Sequence, residues 1–332
     1  MTAASIVSSP AHGQSVSSTT RGVPGARASH PAPPRQGSRW RGWVRRGSVN
    51  LMYLPALALF AVFMIYPFIS GIGLSMTNWD GYSPTRAYVG LENYSRLFTD
   101  SNVLVALRNT FVYGIGSTLI QQILGLGLAV LLDRAHKGRS FFRAVVYLPA
   151  LVSPVVMGTM YYLIFRYHQG ALNDLVGLFG HAPVAWLSDS GFAVAIIVVI
   201  NSLQFVGISM LIYLSGLQSI PDDLREAASL DGADGARLFR SITLPLLLPS
   251  FTSSTVINLI GGLKLYDIVQ VLTAGGPGYS TNSVSTLIGR TYFGNQAAGF
   301  AAAQGVSLFL IIVFFTVVLN SIFDRLRVRQ EG

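Results

Sequence analysis

Six stretches of this chain contain no Asp, Glu, Lys or Arg: residues 47–79, 109–132, 144–165, 190–221, 241–263 and 291–323. Each is long enough to hold the roughly 20 residues that cross a hydrocarbon core as a helix. A chain that is 51% hydrophobic and only 11% charged could not cover a water-soluble surface, which takes about 25% charged residues. A transmembrane β-barrel would alternate in segments of about ten residues, and these runs are continuous. The fold class is therefore an all-α integral membrane protein with six spans.

The chain has no cysteine, which rules out a disulfide framework and thiolate metal sites. Its histidines (His12, His30, His136, His168 and His181) show no ligand spacing, and no metal is expected. The net charge of +9 is explained by topology, so no nucleic-acid partner is expected. Residues 1–47 are rich in Ser, Pro, Ala, Gly and Arg and form a disordered basic tail ending in RWRGWVRR, a sequence suited to an anionic membrane surface. The six-span region covers residues 48–328. With the N-terminus in the cytoplasm, 17 of the 23 basic residues fall on the cytoplasmic side. Both termini are then cytoplasmic, and so is the loop 218–246.

That loop places Glu226, Asp231, Asp234, Arg237 and Arg240 in one short interruption of apolar sequence. Pro221, Asp222 and Asp223 suit a helix start, because Pro needs no donor there and acids meet the positive end of the dipole. Gly232 is the expected left-handed stop. Asp234 is expected to cap a second short helix carrying Arg237 and Arg240, and Pro245 to open the fifth span. Ala227 and Ala228 would leave a smooth face beside Glu226. Such a hairpin either docks on another protein or lies on lipid.

The spacing E-A-A, three residues, G, nine residues, I-x-L-P is met by Glu226, Ala227, Ala228, Gly232, Ile242, Leu244 and Pro245. It would arise by chance on the order of once in 10⁵ chains of this size. It resembles the EAA loop in permease subunits of binding-protein-dependent ABC importers. The segments VGLENYSRLF (89–98), GLQSIPDDLREAASLDGA (216–233) and LTAGGPGYST (272–281) are similar to the maltose and glycerol-3-phosphate subgroup. The chain departs from the maltose-type subunit in lacking extra N-terminal spans and a large folded outer loop, so maltose itself is left open. The resemblance implies a type I importer transmembrane domain in a bacterial plasma membrane. It implies a homologous second permease, an ATP-binding subunit dimer and an extracellular solute-binding protein as partners. It also implies that the first loop helix, with Glu226 through Gly232 and the following Arg237, couples to the ATPase.

No G-x-x-x-x-G-K-[ST] phosphate cradle occurs, so ATP and Mg²⁺ are expected on the partner and this chain is read as non-catalytic. Polar residues within spans are the candidates for the substrate passage. Asn201, Gln204 and Phe205 lie in the fourth span. Asn258, Gly261, Gly262 and Leu265, with Tyr266 beside them, fall on one face of the fifth. That face suits either a wall for a sugar or close helix packing. Lys264 and Asp267 are spaced for a structural i, i+3 ion pair. The function expected is passage of a sugar or oligosaccharide. The alternatives are an ABC permease for glycerol-3-phosphate or a peptide, or a secondary transporter working alone.

Overall fold

The computed structural model describes residues 53–133 and 137–331, with side chains as far as Leu326. The tail expected over residues 1–47 lies outside the described residues. The described residues from Leu59 onward form one compact unit.

The helices are α1 (Leu54–Phe60), α2 (Tyr66–Ser75), α3 (Glu92–Leu97), α4 (Ser101–Asp133), α5 (Arg139–Leu151), α6 (Pro154–Phe165), α7 (Ala171–Leu178) and α8 (Ser190–Gln218). They continue with α9 (Asp222–Leu230), α10 (Ala236–Leu238), α11 (Leu244–Leu246), α12 (Leu248–Leu263), α13 (Asp267–Leu272), α14 (Val284–Gly289) and α15 (Ala298–Glu331). Five helical stretches are long and apolar enough to cross a membrane, and α5 with α6 makes a sixth that is bent by 95°.

That bend corrects the expectation of one continuous third span over residues 144–165. Val152 and Ser153 are extended (ψ 138° and 132°) and Pro154 starts α6. The ring of a proline disfavours helical geometry in the residue before it, so the sequence S-P breaks the span there. The freed carbonyl of Val152 accepts from Gln204 Nε2 at 3.3 Å, which meets the requirement that backbone polar groups within a membrane find partners.

Two other prolines are accommodated differently. Wide π-helical turns at Ala61–Ile65 and Phe239–Thr243 immediately precede the helices that contain Pro67 and Pro245. In the second, Leu244 N bonds five residues back to Phe239 O, which makes room for the ring that would clash in a regular turn. Pro245 therefore lies in α11, within helical chain, and the fifth span opens at Leu248 rather than at Pro245.

The centre of the bundle is α4, α8 and α12, which pack on one another, while α15 packs on α2 toward the edge. Glycine brings the central helices into close contact. A Cβ on Gly262 of α12 would lie 2.7 Å from Gly114 Cα of α4, and one on Gly207 of α8 would lie 2.7 Å from Tyr147 Cα of α5. Small residues at crossings are how helices gain contact in lipid, where burial of apolar surface drives no association. Tyr113, Ile197, Ile200, Ile268 and Val269 fill one half of the core, and Met210, Tyr213, Leu214, Leu217 and Leu247 fill the other.

Candidate functional site: the loop helix α9 and the bundle it is joined to

The acids Asp222 and Asp223 occupy the first turn of α9. The helix ends as the sequence anticipates: Gly232 has φ +78° and nothing within 4 Å of a Cβ placed on it. Ala233 N donates to Ala228 O (2.9 Å) and Gly232 N to Ser229 O (3.1 Å), the two bonds of a Schellman stop. Asp234 does not cap the second helix with its side chain. Gly235, at φ +51°, holds the cap position, and the Asp234 carbonyl accepts from Arg237 N at 3.0 Å. The backbone carbonyl of Asp234, not its carboxylate, therefore accepts at the helix start.

Ala227 and Ala228 point to different sides, which corrects the expectation of a single smooth face. Ala228 is buried against the hairpin, while Ala227 is exposed. One exposed face carries Asp223, Glu226, Ala227 and Leu230, at i, i+3, i+4 and i+7, and Asp222, Leu224 and Ser229 are exposed beside it. Leu230 is 89% exposed at its tip. An apolar side chain this bare, beside two acids and a small residue, suits insertion into a partner. Sequence reading missed Leu230 because a leucine in an amphipathic loop helix ordinarily faces inward. Asp231 and Arg237 are exposed, Leu244 is 39% exposed, and Ile242 and Pro245 are half-buried.

Sequence reading also missed how α9 is anchored. Arg225 NH2 donates to Leu217 O in the last turn of α8 at 2.8 Å, and NH1 meets Asp133 Oδ2 at the end of α4 at 3.4 Å. Beside it, Arg143 of α5 donates to Leu132 O at 3.0 Å. Guanidinium groups are favoured at helix C-termini, where unpaired carbonyls and the negative end of the dipole coincide. Arg225 and Asp133 lie 92 residues apart in sequence, so spacing gave no signal.

The passage candidates have different surroundings. Asn258 is buried and donates to Ser209 Oγ (2.6 Å) and Ser254 Oγ (3.3 Å). Tyr213 donates to Gln122 Oε1 one turn further along, so α4, α8 and α12 share a polar centre. Gly262 and Leu265 are buried, and Gly262 serves close packing. Gln204 is committed to the break between α5 and α6. Asn201 is buried, with its carbonyl accepting from Gln121 Nε2 at 3.1 Å, and Phe205 is half-buried. Gly261 and Tyr266 are open, with nothing within 4 Å of a Cβ on Gly261 and Tyr266 at 43% exposure.

Lys264 and Asp267 form no ion pair among the described residues, because α12 ends at Leu263 and α13 begins only at Asp267. The i, i+3 rule requires continuous helix, and Lys264 to Tyr266 is a turn. At the opposite end of the bundle from α9, the segment after α13 folds back onto α4. Asn109 Nδ2 donates to Ser280 O (2.7 Å) and Asn282 O (3.1 Å), and Tyr113 Oη to Thr281 O (2.8 Å).

These features define a helical, multi-pass membrane domain with an exposed loop helix anchored to two of its spans. Residues 121–331 match the family model described as the binding-protein-dependent transport system inner membrane component, and the chain belongs to that family. It is 34% identical over 268 residues to the trehalose/maltose transport system permease protein of Thermococcus litoralis, covering 81% of this chain and 90% of that protein. It is 34% identical over 262 residues to the multiple sugar-binding transport system permease protein of Streptococcus mutans (79% and 90%). It is 30% identical over 269 residues to the sn-glycerol-3-phosphate transport system permease protein of Agrobacterium fabrum (80% and 91%). Among solved structures, a bacterial ABC transporter that imports the acidic polysaccharide alginate shares its fold, with a TM-score of 0.75, 24% identity, and coverage of 86% of this chain and 98% of that one. The chain is thus a transport permease with the fold of an ABC importer's transmembrane domain.

Proposed function

We propose that this chain forms half of the membrane passage of a sugar or oligosaccharide importer, beside a homologous second permease. The observation that carries the reading is the exposed face of α9, with Glu226, Ala227 and the bare Leu230 presented on a helix pinned at its base by Arg225. That face docks in a cleft of a separate ATP-binding subunit, where ATP and Mg²⁺ are held. Closure of the ATPase dimer moves α9 and opens the passage outward, and hydrolysis resets it inward. The relatives named for trehalose/maltose and for multiple sugars support a neutral sugar as cargo, delivered by an extracellular solute-binding protein. The distribution of Lys and Arg supports cytoplasmic termini and a cytoplasmic α9.

The test is uptake by proteoliposomes holding the importer isolated through a tag on this chain, with its solute-binding protein added. Labelled trehalose, maltose and glycerol-3-phosphate are offered separately. ATP-dependent uptake of a sugar is expected. Uptake of glycerol-3-phosphate alone would replace the sugar reading, and uptake without any ATP-binding subunit would end the ABC reading.

A further inference from the structure

The loop helix is joined to the bundle by more than its own chain. Through residues 219–221, a displacement of α9 reaches α8 directly. The Arg225 side chain adds a second route, because one guanidinium bonds Leu217 O of α8 and Asp133 Oδ2 of α4 together. The planar fork presents donors on two separate nitrogens held in fixed geometry, so it meets the two acceptors from preset positions. The joint is sheltered, with Arg225 and Asp133 side chains 29% and 20% exposed. The last turn of α4 is also held by Arg143 of α5, at Leu132 O.

The far end of α4 is attached just as specifically. Asn109, Thr110 and Tyr113 hold the segment 280–284 through its backbone: Ser280 O, Thr281 O and Asn282 O accept, and Val284 N donates to Thr110 Oγ1 at 2.9 Å. Both attachments lie on one uninterrupted helix, since α4 runs unbroken for 33 residues from Ser101 to Asp133. Asn109 lies about 36 Å from Asp133 at 1.5 Å per residue. An unbroken helix transmits displacement along its axis, whereas α5–α6 and α12–α13 are interrupted and can flex at their breaks.

We propose that α4 is the shaft of the transporter: Arg225 takes up the displacement of α9, passes it to α4 through Asp133, and α4 delivers it to the segment 273–284 at the opposite face. Arg225 and Asp133 are positioning residues. This rests on the reading of α9 as the docking helix, but it concerns residues outside the docking face.

The experiment uses the full importer isolated through a tag on this chain. Because the chain has no cysteine, a single Ala274→Cys carries a nitroxide label on the exposed side of the far segment. Adding ATP should change the label's mobility in the otherwise unaltered importer. In Asp133→Ala the ATP-binding subunit should still co-isolate, the label response should vanish, and uptake should fall about tenfold, within the range of couplings between distant sites. Asp133→Glu, which keeps the carboxylate, should retain both. If Asp133→Ala fails to assemble, Arg225→Met makes the same test, because it keeps an unbranched side chain but has no donor for either acceptor. A full label response or unchanged uptake in the variant that assembles overturns the shaft, and so does a label that ignores ATP in the unaltered importer. Failure of any ATP-binding subunit to co-isolate with the unaltered chain would instead overturn the docking reading.

Discussion

Asn258 of α12 donates a 2.6 Å hydrogen bond to Ser209 Oγ of α8, and Ser209 is fully buried. The amide therefore ties two central helices together, with Ser254 as a second acceptor. Asn258→Leu should leave Ser209 without its partner in an apolar interior and lower stability by about 1–2 kcal/mol. Thermal unfolding of the purified chain in detergent should show a lower midpoint. Ser209→Ala added to Asn258→Leu should recover part of the loss, since the orphaned hydroxyl is gone. A normal midpoint with reduced uptake would instead put Asn258 in contact with the sugar.

Gly261 and Gly262 are neighbours in sequence with opposite surroundings. A Cβ on Gly262 would meet Gly114 Cα at 2.7 Å and Tyr113 O at 3.0 Å, both backbone atoms that cannot turn aside. A Cβ on Gly261 meets nothing within 4 Å. Gly262→Ala should force α12 away from α4 at a cost of about 1–3 kcal/mol, visible as reduced yield and midpoint. Gly261→Ala should be neutral or stabilising, because Ala is the better helix former by about 0.5–1 kcal/mol. Equal effects of the two would contradict the packing.

The membrane class, the number of spans and the loop helix with its Gly232 stop were legible in the sequence, because each has a local signature. Charge-free runs mark spans, and acids at a helix start with a glycine at its end mark α9. What escaped is non-local. Charge-free sequence does not reveal that Ser153–Pro154 bends the third span, nor that Gln204 on another helix satisfies the break. Helical spacing placed Asn258, Gly261, Gly262 and Leu265 near one another but could not tell which neighbour each would meet. Lys264 and Asp267 had the right separation on an assumed helix that in fact stops between them.

The turn 79–83 gives a pH prediction. Asp80 is held down to about 2 from 3.8, first by the Ser83 hydroxyl and then by the Ser83 and Tyr82 amides, all donating to its carboxylate. A depressed carboxylate stabilises its turn fully above the ordinary value, and the benefit is lost as pH falls through about 2. Trp79 Nε1 donates to Ser83 O across the same turn, so its fluorescence reports the turn. The Trp79 signal, isolated by difference from Trp79→Phe, should stay constant from neutral pH to about pH 4 and shift only below that. A midpoint near 4 would show that the carboxylate is not held.

Gly232 is the stop of α9 at φ +78°, a region that Asn tolerates and β-branched residues do not. No side chain crowds the position, so any penalty there is backbone strain alone. Gly232→Val should disturb the Schellman bonds and lower both co-isolation of the ATP-binding subunit and uptake. Gly232→Asn should stay close to the unaltered chain. The strain is about 1–2 kcal/mol, which corresponds to a roughly five- to thirtyfold change in a binding equilibrium. Matching behaviour of the two variants would mean that the turn is not left-handed.

Leu230 and Glu226 separate two contributions to docking. On the proposed docking, Glu226 would offer its charge to a basic residue of the partner, a contact worth about 1.5–3 kcal/mol when hydrogen-bonded. Leu230, 89% exposed, offers apolar surface that gains only if a partner covers it, about 1.5–3 kcal/mol for complete burial. Neither side chain supports the hairpin from within, so neither substitution should lower the chain's own unfolding midpoint. Leu230→Ser should weaken co-isolation of the ATP-binding subunit at every salt concentration. Glu226→Ala should remove the salt-sensitive part of the interaction and reduce uptake per ATP hydrolysed. A pull-down titrated with salt, run beside uptake and ATPase rates, distinguishes the two. If both variants bind and transport as the unaltered chain does, the exposed face of α9 is not the docking surface. The bare Leu230 would then be left to a lipid surface, where a Leu230→Ser variant should detach α9 from anionic vesicles.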